Sequence, residues 1–412
     1  MLCDDMLADA EVPANACEWG REAFRAELAA AATPGPEAWI DGIPSGIAAA
    51  VDGAVVRLTS ARRVLVTGLA AATMEAIAVT CDVAELLAAA VDSGHPDGSR
   101  ATGPTIARAG EITASWDELR DRADLVIFWF CDPSRSHPRF LERHLPRGRP
   151  FRSIWVGSAD VAAPIPACHR ITVPREAATE AARVVHAMLA GHGLRDADPL
   201  IGACRAITAV IRKATCVAIV TVLDDQIGID AWSLVHLVRT IAHERPAFQI
   251  PLGAGIAAGG PNAAGAAAIS SWRYGAAAAI ARADRGGGRF RPAESDALRL
   301  IERGEVDCLL ALGRLPAPME AALAAAGIDS VRLMTDGAVP FRAASGIQIA
   351  CSSRQFGERG TMLREDGRTI LLDAAPAIPI SSGRPGAAAL LRVLRERIEQ
   401  QLLAAADGET SP

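Results

Sequence analysis

The sequence predicts an α/β protein with two α/β lobes of mostly parallel sheet behind a small irregular N-terminal lobe. Two observations carry this. Strands alternate with helical segments in two successive series, the pattern of βαβ units. The strongest apolar runs are β-branched or aromatic and stop abruptly at Gly or Asp-Pro, as buried strands do.

Residues 1–57 contain Pro13, Pro34, Pro36, Pro44 and several glycines with little sustained periodicity, and read as the irregular lobe. The first series follows from Arg62. Val64-Leu65-Val66-Thr67-Gly68 reads as a strand, 71–90 as a helix, and Leu125 to Phe130 and Ile154-Trp155-Val156 as further strands. The second begins near residue 162 with strand Ile171-Thr172-Val173, helix 176–191, the strong strand 216–222, helix 229–243 and strand Phe248-Gln249-Ile250. An Ala-rich helix is expected near 262–282, a Gly-rich loop over 284–291 and a strand over 306–312. Strands at 331–334 and 347–350 close the sheet region, Asp366-Gly367 marks a hairpin over 361–372, and 386–404 is helical.

The 412 residues suffice for two or three domains, and no apolar run approaches the roughly 18 to 20 residues that span a bilayer. The acidic start Met1-Leu2-Cys3-Asp4-Asp5 lacks the features of a signal peptide, so a cytoplasmic location is expected, without membrane attachment. A net charge of −6 and the lack of a dense basic stripe disfavour nucleic-acid binding. The nine cysteines are scattered and never spaced as Cys-x-x-Cys, which argues against a disulfide framework and a self-contained zinc site. No Gly-x-Ser-x-Gly elbow, His-Glu-x-x-His pair or Walker loop occurs.

The run Leu125 to Pro133, followed by His137-Pro138-Arg139, places polar residues beyond a strand's carboxyl end, where open α/β sheets bind ligands. Further motifs are Cys3-Asp4-Asp5, Asn15-Ala16-Cys17, Gly103-Pro104-Thr105, Asp284-Arg285-Gly286 with Arg289-Phe290-x-Pro292, and Gly360-Thr361 with Arg364 and Asp366-Gly367. Together and in this order they resemble the B-type subunit of formylmethanofuran dehydrogenase. In that family this component holds a tungsten- or molybdenum-pterin and is related to the molybdopterin formate dehydrogenases. The resemblance implies a degenerate molybdopterin oxidoreductase-like (formate dehydrogenase-like) fold. Residues 1–57 would be the remnant of an iron–sulfur domain, 58–161 with 346–412 a first α/β domain, and 162–345 a second.

The departures from the family pattern matter equally. Only Cys3 and Cys17 match cluster ligands where a four-iron cluster needs four thiolates, and the sequence starts just upstream of Cys3. Alignment on Gly103-Pro104 puts Ala101 and Thr102 where the family has the metal-binding Cys and the following His; alanine offers the metal no lone pair. The resemblance therefore implies the non-redox B-type subunit of the bacterial formyltransferase/hydrolase complex of methylotrophy, an architectural part without its own active site. Its partners would be an amidohydrolase-like A-type subunit holding zinc, a C-type subunit, plus the formyltransferase. Together they would release formate from formyl-tetrahydromethanopterin through a methanofuran-type carrier in formaldehyde oxidation. Ala101, Thr102, Cys131, His137, Arg285, Gly360 and Thr361 would be vestigial pterin-site positions, and Cys3 and Cys17 vestigial cluster positions, with no cofactor bound. Two rival readings are an active metal-pterin oxidoreductase with an unusual metal ligand and a stand-alone nucleotide- or cofactor-binding α/β protein.

Individual residues carry plainer readings beside these. Cys131 reads as an inert, partly buried thiol and His137 as a hydrogen-bonding residue at a helix N-terminus or interface. Arg285 is either a remnant anion site or part of a solvated glycine loop. The stretch Gly253-x-Gly255 to Gly259-Gly260-Pro261-Asn262 follows a strand and precedes a helix, as phosphate-binding turns do, but lacks the G-x-G-x-x-G order and reads as packing.

Overall fold

The computed structural model describes residues 14–32, 35–93, 109–160, 163, 168–194, 198–222, 228–253, 260–283, 288–291, 294–335, 345–352, 358–372 and 384–409. Within these the strands are, in chain order, β1 (Ala38–Ile40), β2 (Ile43–Ser45), β3 (Val64–Thr67), β4 (Ala90–Val91), β5 (Leu125–Trp129), β6 (Arg152–Gly157) and β7 (His169–Thr172). They continue with β8 (Val217–Val222), β9 (Ala247–Leu252), β10 (Cys308–Leu312), β11 (Asp329–Met334), β12 (Ile347–Ala350), β13 (Gly360–Leu363) and β14 (Thr369–Leu372). The chain forms two compact units, one from Asp97–Ala257 and one from Cys3–Pro96 with Ala258–Pro412.

The first unit is built on a five-stranded sheet in the order β7-β6-β5-β8-β9, parallel throughout. Strands β5 and β8 lie in its interior, and every residue of Leu-Val-Ile-Phe-Trp is buried. A parallel strand covered on both faces needs an unbroken apolar run, which makes this segment the most legible. Helices Ala178–Leu189, Pro199–Arg212 and Gly228–Ala242 contribute to the core on one face. Trp116, Leu119 and Phe140, from the short helices Trp116–Arg122 and Phe140–His144, fill the other.

The second unit holds a seven-stranded sheet, β2-β1-β12-β11-β10-β3-β4. Its run from β12 to β4 is parallel, and β1 and β2 add an antiparallel edge. Helices Ile47–Ser60, Met74–Leu86 and Ala387–Glu409 pack into one core, and residues of Ala297–Glu302 and Ala317–Ala326 into another. The hairpin β13–β14 stands as a separate two-stranded ladder.

These sheets correct the expected domain division. The boundary at 161/162 falls inside the five-stranded sheet, because β5 and β6 lie between β7 and β8. Conversely β10 and β11, placed by sequence in the second domain, pair with β3 and β12. Crossover connections let a parallel sheet recruit strands far apart in sequence, so a linear series of βα units does not mark a sheet's limits.

Residues 1–57 are also less irregular than expected where they are described. Glu18–Ala32 and Ile47–Ser60 are helices, and β1–β2 is a tight hairpin. Its two-residue loop is Asp41-Gly42, both at positive φ, the Asp-Gly pairing that a type I′ turn favours. Arg57 donates to Asp41 at 2.6 Å, and the Gly346 N–H donates to the same carboxylate at 2.9 Å. The segment thus extends the sheet. Pro199–Arg212 is a helix beyond those expected. Asp198 caps it by accepting the Leu200 N–H and Pro199 begins it, a start signal present in the sequence. The Ala-rich helix stops at Tyr274, where Gly275 takes φ 77°, and the chain returns as a bridge from Ile280 to Val91. Among the described residues no helix is long and apolar enough to cross a membrane.

Candidate functional site

In the first unit the connections reverse direction between β5 and β8, and the crevice beyond their carboxyl ends is where such sheets take ligands. At this crevice lies a cavity of about 10 Å³, room for about one water, lined by Trp129, Phe130, Arg175, Ala178, Val222, Asp230 and Leu234. Phe130 ends the strand at φ 50°, a conformation L side chains rarely take, and donates its N–H to Val156 at 2.7 Å. Arg175 lies over its ring at 5.2 Å, and Thr179 and Asp230 hydrogen-bond to each other.

The residues that follow Phe130 are engaged internally. Cys131 is buried and donates its thiol to the Val220 carbonyl at 3.2 Å. Asp132 accepts the Ser134 N–H at 3.0 Å and hydroxyl at 2.6 Å, starting the short helix Pro133–Ser136. His137 is 4% exposed, donates its N–H to Pro133 and sits edge-on to Trp116 at 5.7 Å. It closes the helix Pro133–Ser136, and its carbonyl accepts the Phe140 N–H at 2.8 Å just where the next helix begins. Trp116 also meets Phe140 at 5.6 Å, so His137 belongs to an aromatic cluster.

In the second unit the reversal falls between β3 and β10. Gly68, at φ 74°, brings the chain so close that a Cβ would lie 2.3 Å from the Leu312 carbonyl oxygen. A buried turn, Leu69–Ala71, follows, and Thr73 caps the helix Met74–Leu86 by accepting the Ala76 N–H. Three successive carbonyls here receive donors. Asn262 gives its N–H to Ala70 at 2.9 Å and its side-chain amide to Ala72 at 2.8 Å, and Thr335 gives its hydroxyl to Ala71 at 2.7 Å. The Asn262 side-chain oxygen Oδ1 in turn accepts the Leu363 N–H at 2.9 Å. For the described part of the Gly-rich stretch, Gly260 to Asn262, the role seen is thus packing and clamping.

Gly360 and Thr361 fasten the hairpin to the same helix start. Thr361 donates its N–H at 2.8 Å and hydroxyl at 2.7 Å to the two oxygens of Glu75. A Cβ on residue 360 would approach Glu75 to 2.8 Å, which explains the glycine. Burial raises the Glu75 carboxyl, but the Thr361 bonds outweigh it and hold the group below its ordinary value. The next turn is held by a buried bidentate pair, Arg364 to Asp366, at 2.7 and 2.6 Å.

Of the remaining candidates, Cys17 lies at the start of helix Glu18–Ala32, with its sulfur 3.3 Å from the Gly20 N–H that donates to it. Cys3, Ala101, Thr102 and Arg285 lie outside the described residues, as does Gly103-Pro104-Thr105. Burial pushes the thiols of Cys81, Cys204 and Cys308 up to about 11, 12 and 12, which keeps them protonated and unreactive. Sequence reasoning passed over Asn262 as a clamp, Thr335 and Glu75. Glu75 two residues after a Thr cap was a visible helix-start signal; the other two act through tertiary contacts alone.

No family model matches the chain, and no curated protein does. Among solved structures, it matches a chain in the crystal structure of the formyltransferase/hydrolase complex (FhcABCD) from Methylorubrum extorquens in complex with methylofuran, at TM-score 0.73 and 20% identity. The match spans 89% of this chain and 99% of that one. The two chains share a fold. The likeness extends over nearly the whole of that FhcABCD chain, so both units described above are part of it.

Proposed function

We propose that this chain is the non-redox B-type subunit of a formyltransferase/hydrolase complex. It serves as an architectural part, and the chemistry of formate release from formyl-tetrahydromethanopterin resides in partner subunits. The observation carrying this reading is the match across 99% of a chain of FhcABCD. The partners would be an amidohydrolase-like A-type subunit with zinc, the formyltransferase and a C-type subunit, with a methanofuran-type carrier shuttling the formyl group between them.

Local chemistry supports the architectural role. Thr361, Cys131 and His137, positions matched to the family's motifs, make polar contacts within their own units. Thr361 and Asn262 bond to Glu75 and Ala72 of the chain itself. Co-expression with the partner subunits, followed by native mass spectrometry, tests the proposal. A stable hetero-oligomer that hydrolyses formyl carrier without metal bound to this chain is expected. A soluble monomer that ignores the amidohydrolase-like partner, or a stoichiometric tungsten- or molybdenum-pterin in this chain, would refute it.

A further inference from the structure

Away from both crevices, the first unit carries a groove that the proposed function does not use. It runs between helices Ala178–Leu189 and Gly228–Ala242, has a volume of about 530 Å³, and is lined by Arg183, His186, Ile229, Trp232, Ser233 and His236. The two helices run in the same direction, since Thr179 meets Asp230 near one end and His186 meets Thr240 near the other. Two histidines, one from each helix, therefore line the same open space.

His186 is held through Nδ1, which lies 2.6 Å from the Thr240 hydroxyl oxygen. That hydroxyl spends its only proton on the His236 carbonyl at 3.0 Å, so toward His186 it accepts, and the imidazole carries its proton on Nδ1. The lone pair then lies on Nε2, which has no hydrogen-bond partner among the described residues. An oxygen on one ring nitrogen and a lone pair on the other is how metal-binding histidines are presented. The same two hydrogen bonds tie this ring to the residue that carries the second imidazole. His236 stands one helical turn before Thr240, and its own Nε2 is buried without a hydrogen-bond partner. Burial first, then the charges of Arg239 and His186, hold His236 below its ordinary value and so in the neutral form that coordinates. Its ring lies 4.7 Å from that of Trp232.

We propose that His186 and His236 together hold one borderline-soft divalent transition-metal ion through the Nε2 atom of each, with groove water completing its shell. Imidazole nitrogen suits zinc, nickel and copper, whereas Mg²⁺ and Ca²⁺ take oxygen donors. The groove offers those harder ions little, because its described lining has an arginine and no carboxylate. Arg183 likewise makes this a site of coordination and not of charge attraction. Among the described residues no group of three or more His, Cys, Asp or Glu side chains is placed to hold a metal, so the pair acts without a third protein ligand. Structural sites close the shell with four protein ligands; two ligands and an open flank give a reversible one. Such a site is empty unless the ion is supplied, and it plays no part in the hydrolysis proposed above.

The test is isothermal titration of the full chain with Ni²⁺ at about pH 7.5, where free imidazole is neutral, with Mg²⁺ as the control ion. One Ni²⁺ per chain is expected, with quenching of tryptophan emission that Trp232→Phe largely removes. His186→Gln and His236→Gln should each weaken binding about ten-fold or more, and Thr240→Val, which takes away the group that orients His186, by about ten-fold. His169→Gln and His192→Gln, at exposed positions outside the groove, should leave it unchanged, and thermal melts confirm that each variant keeps its fold. Acidification to about pH 5 should release the ion as the imidazoles take up protons. No binding at one equivalent, Mg²⁺ binding as well as Ni²⁺, or indifference to both groove-histidine variants overturns the proposal. Loss of binding on His169→Gln or His192→Gln does so too, since it places the ion elsewhere. The site rests on this chain alone, so either result leaves the complex reading standing.

Discussion

The buried pair Arg364–Asp366 offers the sharpest test of how the second unit is held. Arg364 is 0% exposed and Asp366 1%, and the two N–O distances of 2.7 and 2.6 Å make a parallel, two-pronged contact. Both charges have left water, so their attraction has mainly offset desolvation and the pair adds little net stability. Removing one partner is different: the other charge stays buried and loses its two-pronged bond. Arg364→Met alone and Asp366→Leu alone should therefore each cost about 3–5 kcal/mol. Against total stabilities of about 5–15 kcal/mol that is a third or more. The double variant should recover most of the loss, to within about 1–2 kcal/mol of the wild type, because the apolar pair leaves no orphan charge. Urea unfolding followed by far-UV circular dichroism and fitted with a separate transition for each unit reads all four corners of the cycle. Single variants costing under about 1 kcal/mol, or a double variant as unstable as the sum of the singles, would refute the reasoning.

Three further outcomes are expected. Burial pushes the Glu111 carboxyl up to about 7. A folded-state value above the unfolded one means stability falls as pH rises through about 7, so Glu111→Gln should gain about 3 kcal/mol at pH 8 and nothing below about pH 4.5; a pH-independent difference in urea midpoint contradicts this. Glu75 is depressed, so its contribution is present above the ordinary carboxylate range and lost on acidification; Glu75→Gln should flatten the acid limb of the stability curve, and an unchanged limb rules the clamp out. Asn262→Ala leaves the Ala72 carbonyl and Leu363 N–H without their partners and should cost about 2–4 kcal/mol, with faster hydrogen exchange at Leu363 as the local readout.

What the sequence revealed and what it hid follow from range. Leu125 to Trp129 and the strand at 217–222 were readable because strands buried on both faces must be apolar throughout. Asp366-Gly367 announced its hairpin, and Asp41-Gly42 carried the same signal within a segment read as irregular on account of its prolines. Sheet membership was hidden, because the pairing of Cys308 with Val64 or of Leu125 with Val217 is a long-range choice that leaves no local trace. The candidate positions were found by motif, but their roles were not. Gly360-Thr361 was visible as a pair, whereas its partner Glu75 lies 286 residues away from Thr361.

In the second unit the turn beside the sheet's crevice is held by the chain itself. Backbone groups in a buried turn need partners from whatever is at hand. In the turn Leu69–Ala71 and the residue after it, the carbonyls find theirs in Asn262 and Thr335, contributed by segments 190 and 264 residues downstream. The methyl of Ala71 and the bare Cα of Gly313 let the strands' ends close together, since a Cβ there would come within 2.6 Å. A turn satisfied in this way needs no outside group for its hydrogen bonds, so side chains elsewhere at the crevice are free to change at little cost to folding. Asn262 is not free in the same way, because it bonds Ala70, Ala72 and Leu363 at once. Substitution at Asn262 should therefore unfold the second unit more readily than Cys131→Ala unfolds the first, where a thiol gives only a weak bond to the Val220 carbonyl.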